Sequence, residues 1–304
     1  MDFAGALPVF VITLREGVEA ALVVGIVLAA LTKSRKDDLI PWVYWGILAG
    51  IGGSLLIGQL LSWGLRKVGE VNPQLQPVLE PFLKSGLCVV AIAMLSWMLI
   101  WMTQQSQSLK GEIENSLTSS LQSSAAGWGV FTLVGIAVLR EGFETVLFIF
   151  ANAQQNSAAL GAVLGLSGAV GIGFALFKWG IRINLRRFFQ VMGIFLLLIV
   201  AGLVISALKN IDAAIYALSL LKPANTLCFS TDSCVLGALA WDVSAVLPDS
   251  QFPGVIFKAL LGYRDHLYWL QVISYSLFLT IVGTSYLRSL GQPPAKLSNH
   301  SSAS

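Results

Sequence analysis

The stretch that most restricts this chain is Arg15-Glu16-Gly17-Val18-Glu19, and it recurs as Arg140-Glu141-Gly142-Phe143-Glu144. Each copy lies in the middle of an apolar run, at 7–31 and 127–151. Either run is long enough to cross a bilayer as a helix. An ionised side chain near the centre of such a helix costs about 2.5 to 3.5 kcal/mol on insertion scales, and each run carries three. A chain that accepts this cost twice, with the same residues in the same order, uses those charges.

Helical geometry says how. Glu16 and Glu19 are three apart and share a face, while Arg15 and Glu19 are four apart and pair along it. Gly17 leaves bare backbone between the acids, so that another helix or an ion can approach. The second copy repeats this with Glu141, Glu144, Arg140 and Gly142. If the two helices face each other, the four carboxylates Glu16, Glu19, Glu141 and Glu144 converge. An all-oxygen cluster suits a hard cation. The plainer reading is two structural Arg–Glu pairs that fix helix register.

The rest of the composition agrees with a multi-pass, all-α membrane protein. Of 304 residues, 56% are hydrophobic and 12% charged, with positive mean hydropathy. A net charge of +3 offers no case for nucleic acid. There are two histidines, His266 in a loop and His300 in the tail, so an imidazole-built centre within the helices is not expected. No phosphate-cradling glycine loop is followed by Lys-Ser/Thr, which argues against nucleotide hydrolysis. The N-terminus lacks a basic leader region, so the first apolar run reads as a retained helix.

Seven helices are expected, at about 7–31, 41–65, 82–102, 127–151, 158–179, 188–208 and 268–287. Gly46, Gly50, Gly53 and Gly58 in the second match Gly161, Gly165, Gly168 and Gly173 in the fifth at a constant offset. Residues 1–106 therefore read as a three-helix repeat and 127–209 as its second copy. An odd number of crossings per copy inverts the second, as in many secondary transporters. Between them, 107–126 reads as a cytoplasmic amphipathic helix, with Leu109, Ile113, Leu117 and Leu121 four apart, or as a solvated linker. Segment 210–267 reads as an extracytoplasmic loop, 268–290 as the seventh span and 291–304 as a disordered tail.

Basic residues such as Lys33, Arg35, Lys36, Arg182, Arg187 and Arg288 favour one side, which places the N-terminus outside and the C-terminus in the cytoplasm of a cell membrane. In the outside loop, Cys228 and Cys234 are close enough in sequence for a disulfide. A metal pair is the other reading, but no third soft ligand stands near. Cys88 reads as packing. Asp242, in Trp241-Asp242-Val243-Ser244, either lines the mouth of a pathway or caps a short helix.

With these residues in view, the chain resembles the iron permease family, the membrane partner of oxidase-dependent iron uptake. That family carries an Arg-Glu-Gly-x-Glu motif in the first and fourth of seven helices, here 15–19 and 140–144. The likeness extends to Arg187-Phe188-Phe189, Ala201-Gly202-Leu203, Trp241-Asp242-Val243-Ser244 and Gly262-Tyr263, over about 7–290. It implies translocation of ferric iron with the motif glutamates as ligands, and a ferroxidase or iron-delivering partner at the outer face. Iron is then the substrate, no resident cofactor is implied, and the chain is not an enzyme. Where many members carry an acid just before the glycine that opens the third helix, here Gly86, this chain has Lys84-Ser85, with Glu80 the nearest acid. The competing functions are a permease for another divalent cation (ferrous iron, manganese or lead), a membrane redox subunit, or a non-transporting assembly protein.

Overall fold

The computed structural model describes residues 3–71, 75–105, 126–151, 155–177, 185–221, 228, 233–249 and 251–291. These form eight helices: α1 Phe3–Lys33, α2 Ile40–Val71, α3 Gln76–Gln105, α4 Ala126–Ala151, α5 Gln155–Phe177, α6 Leu185–Leu221, α7 Gly254–Leu261 and α8 Trp269–Gly291. Two short strands, β1 Leu239–Asp242 and β2 His266–Tyr268, pair antiparallel just before α8. The stretch expected as a surface helix lies, except for its last residue, outside the described residues, as does the tail beyond Gly291.

Long apolar runs make the helices, and their ends follow local chemistry. Pro41 and Pro77 each stand at the second helical residue of α2 and α3, where a missing N–H costs nothing. α7 stops at Gly262, whose φ of 68° closes the helix with its N–H donated to the Phe257 carbonyl. α6 differs from expectation. The polar run Lys209-Asn210-Ile211-Asp212 does not end it, and the helix continues to Leu221.

The helices pair closely as α1 with α5, α2 with α4 and α3 with α6. Glycine makes the first two of these approaches possible. A Cβ on Gly165 would lie 2.8 Å from the Phe10 carbonyl oxygen, and one on Gly46 would lie 2.8 Å from that of Phe131. Val9, Ile12, Cys88, Leu95, Phe148, Leu196 and Tyr286 form the largest buried cluster, shared by α1, α3, α4, α6 and α8. A second cluster, around Val27, Leu31, Val43, Val130 and Val134, closes the other end of α1, α2 and α4.

Outward faces are apolar as well. Trp45, Leu48, Leu55, Leu56, Leu60 and Trp63 stand exposed along α2. In water such a face is a liability, whereas in a bilayer it is the solvent-facing surface. Five helical segments are long and apolar enough to cross: Asp37–Lys67, Gln76–Trp101, Ala158–Phe177, Arg187–Leu221 and Trp269–Leu290. The chain is thus an all-α, multi-pass membrane protein. α1 and α4 are not among the five, and each carries the three motif charges.

Candidate metal centre

α1 and α4 pack against each other and present the two motifs across their contact. Glu16, Glu141 and Glu144 each bring one carboxylate oxygen into a group whose members all lie within 4.8 Å of one another. Glu16 and Glu144 are buried, and Glu141 is half-buried. Glu16 Oε2, Glu141 Oε2 and Glu144 Oε2 are buried and accept no hydrogen bond among the described residues. A buried carboxylate oxygen without a donor is a destabilising feature unless a cation or proton serves it.

The two arginines are not equivalent. Arg15 is buried at 2% exposure and holds two acids, Glu16 Oε1 at 2.8 Å and Glu19 Oε1 at 3.0 Å. Arg140 reaches Glu144 Oε1 at 3.3 Å with its side chain half exposed. The expected Arg15–Glu19 and Arg140–Glu144 pairs are therefore both present. The Arg15–Glu16 contact between neighbours in sequence was not expected. It turns Glu16 toward Arg15 with one oxygen and leaves the other unserved. Glu19 is not a member of the oxygen trio; its Oε1 lies 3.0 Å from Arg15 Nη2.

Gly17 and Gly142 serve helix packing. A Cβ on Gly17 would lie 2.6 Å from the Cβ of Ala169 on α5, and one on Gly142 would lie 2.7 Å from the Cβ of Ser54 on α2. Each motif helix thereby backs onto a neighbour through its glycine and turns its acids the other way. Of the two approaches open at Gly17, a helix or an ion, the helix has taken the space.

Two residues without any signal in the sequence complete the surroundings. Met98 and Trp101 lie three apart on α3, hence on one face. Arg15 Nη1 donates to Met98 Sδ at 3.6 Å. The Arg140 guanidinium carbon stands 5.3 Å from the centre of the Trp101 ring. A methionine and a tryptophan in an apolar run read as core from sequence, because nothing in their spacing ties them to distant arginines.

The other candidates lie elsewhere. Asp242 ends β1, where its Oδ1 accepts from Ser244 N–H at 3.0 Å and Ser244 Oγ at 2.7 Å, and its Oδ2 faces His266 Nε2 at 3.3 Å. It caps a turn rather than a helix. Cys228 and Cys234 are joined in a disulfide. Cys88 Sγ donates to the Ala151 carbonyl at 3.2 Å, a packing role. Lys84 pairs with Glu80 at 2.7 Å, and Ser85 Oγ donates to the Ala207 carbonyl on α6. Gly202 and Gly262 meet: a Cβ on Gly202 would lie 2.8 Å from the Cα of Gly262, which seats the end of α7 on α6.

Comparison with known proteins follows the same lines. The model of the Iron permease FTR1 family matches residues 6–287. The chain is 46% identical over 294 residues to the uncharacterized protein slr0964 of Synechocystis sp., covering 95% of this chain and 96% of the relative. It is 32% identical over 260 residues to a protein named ferrous iron permease EfeU in Escherichia coli O6:H1, covering 84% of this chain and 86% of that one. The protein of that name in Yersinia pestis is 29% identical over 260 residues, covering 84% of each chain. No solved structure matches. On the match over nearly its whole length, the chain belongs to the Iron permease FTR1 family.

Proposed function

We propose that this membrane permease moves iron through the oxygen trio of Glu16, Glu141 and Glu144, where α1 and α4 meet. The observation that carries the reading is the trio itself: three carboxylate oxygens from two helices within 4.8 Å, on residues that each have a buried carboxylate oxygen accepting no hydrogen bond among the described residues. With Glu19 beside the trio, four carboxylates stand against two guanidiniums, so the site has negative charge to spare for a cation. An ion entering it exchanges part of its water shell for these oxygens. The donor set has no nitrogen or sulfur, which favours a hard ion, and ferric iron is the harder oxidation state.

A second reading is ferrous iron, since relatives at 32% identity carry that name. Manganese or lead would be accepted by the same oxygen chemistry.

In this reading α1 and α4 also cross the bilayer, making seven spans. They have 31 and 26 residues, more than the roughly 20 that a crossing needs. Trp45 and Trp63 mark two ends of α2 about 27 Å apart along the axis at 1.5 Å per residue, close to the hydrocarbon thickness of about 30 Å. The pairing of helices supports an inverted repeat. Exchanging α1 with α4, α2 with α5 and α3 with α6 turns the α1–α5 contact into α4–α2 and leaves α3–α6 as it is. The N-terminus is assigned to the outside and the C-terminus to the cytoplasm. A ferroxidase or iron-delivering protein would meet the chain at the outer face.

Proteoliposomes loaded with a chelator test this. Radioactive iron is presented as ferric citrate or as ferrous ascorbate, with manganese and lead as competitors. Uptake from one iron form and its loss in Glu16→Gln, Glu141→Gln and Glu144→Gln are expected. Full uptake by all three variants would remove the site.

A further inference from the structure

Trp101 is held beside the weaker of the two motif arginines. Arg15 is buried, contacts two acids and also touches Met98. Arg140 is half exposed and contacts Glu144 alone among the motif acids at salt-bridge distance, through Nε at 3.3 Å. The same guanidinium lies over the Trp101 ring, its carbon 5.3 Å from the ring centre. Arg140 therefore has a carboxylate of the trio and an indole ring both within reach.

We infer that Trp101 is a positioning residue that holds the Arg140 guanidinium when Glu144 turns from it to the ion. This rests on the trio being the iron site. Glu144 cannot give its full charge to a bound cation while Arg140 shares it, because the two positive groups repel at such separations. For the ion to bind well, the guanidinium must withdraw to another partner. An apolar surrounding offers few, and the face of an indole is the best aromatic one. Arg15 has no comparable freedom, being clamped by Glu16 and Glu19 inside the protein. One arginine is thus a fixed counter-charge and the other an exchangeable one, with α3 contacting both through Met98 and Trp101. Trp101 touches no ion and contributes no ligand.

The test is iron uptake as a function of concentration for Trp101→Leu, Trp101→Phe and Arg140→Gln, each in the full chain in proteoliposomes. Losing the ring leaves the guanidinium only Glu144, so the ion must compete harder for that carboxylate. KM for iron should rise by about 3- to 30-fold in Trp101→Leu, the range that a cation–π contact spans, with the maximal rate kept. Trp101→Phe retains a weaker face and should give an intermediate KM. In the Arg140→Gln background, where no guanidinium needs holding, Trp101→Leu should change KM no further. An unchanged KM in Trp101→Leu overturns the inference, and so does a KM rise of the same size in the Arg140→Gln background. If Trp101→Leu fails to reach the membrane, Trp101→Phe decides alone, and a KM equal to the parent's overturns it. Glu144→Gln separates the two levels. Uptake surviving that change removes the site, whereas uptake lost there with an unchanged KM in Trp101→Leu removes only the role of Trp101.

Discussion

Gly17 faces Ala169 so closely that a Cβ built on the glycine would lie 2.6 Å from that of the alanine. Neither atom is the end of a flexible side chain, so only a shift of α1 against α5 would relieve the contact. The glycine is in the motif for the sake of the helix behind it, and this separates its role from that of the acids beside it.

Gly17→Ala should therefore destabilise the protein by about 1 to 3 kcal/mol, as overpacking does. Ala169→Gly in the same chain should restore much of the loss. Thermal melting in detergent, followed by size-exclusion chromatography, measures both. Had the glycine been kept to admit an ion, the compensating change on α5 would restore nothing.

The arginines should fail differently. Arg15→Gln strands Glu16 and Glu19 in a buried place, a change that costs about 3 to 5 kcal/mol, so protein levels in the membrane should fall steeply. The Arg140 side chain is half exposed and pairs with Glu144 alone among the motif acids, so Arg140→Gln should lower abundance less than Arg15→Gln. Its effect should appear more in uptake kinetics than in abundance. Immunoblots of isolated membranes, scaled to a co-expressed control, would expose an equal loss in the two variants.

His266 ties the two antiparallel strands together. Its Nδ1 lies 2.9 Å from Asp265 Oδ1 and its Nε2 3.3 Å from Asp242 Oδ2. The hydrogen bond to Asp265, with Asp242 adding to it, raises the imidazole above its ordinary range. Asp242 is lowered chiefly by Ser244, and Asp265 chiefly by His266. A raised histidine stabilises fully below its unfolded value of about 6.5 and loses that contribution as pH climbs through the folded value. The lowered acids contribute above about 3.9 and lose it as pH falls through their folded values. Protection of the strand amides, corrected for intrinsic exchange, should be greatest between those limits and fall toward alkaline pH. His266→Gln should flatten the alkaline side, as hydrogen exchange of residues 239–242 would report.

Of three cysteines in the chain, Cys228 and Cys234 are bridged and Cys88 is buried. Denatured, unreduced protein should take up one alkylating group, on Cys88, and three after reduction. Intact-mass measurement counts them directly, and three groups without reductant would contradict the bridge.

How much of this was legible depends on whether the cause is local. Spacing along a helix announced the Arg15–Glu19 and Arg140–Glu144 pairs, since i and i+4 meet on any helix. Matched glycines in α2 and α5 announced close packing there. Which acids make the tightest oxygen group, Glu16, Glu141 and Glu144, was not legible, because it depends on how α1 is rotated against α4. Nor was the length of α6. Lys209 and Asp212 look like a membrane edge in a hydropathy profile, yet the helix runs on and Asp212 Oδ1 accepts from the Val235 N–H at 2.8 Å. Met98 and Trp101 acquire meaning only when folding brings both arginines to α3. The strand pair escaped notice because strands of three and four residues, Leu239–Asp242 among them, carry too little alternation to stand out.

The exchange of partners between the halves bears on biogenesis. Synthesis runs from the N-terminus, so α1 and α2 are complete before α5 and α4, the helices they pack on, have been made. Until then α1 has no partner for Gly17, and nothing made after it has yet covered its acids. The first half must wait in the membrane, exposed to whatever holds unfinished chains there. A chain cut off after α3 would lack both of those contacts and leave the charges of α1 without the acids of α4 that they meet in the completed protein.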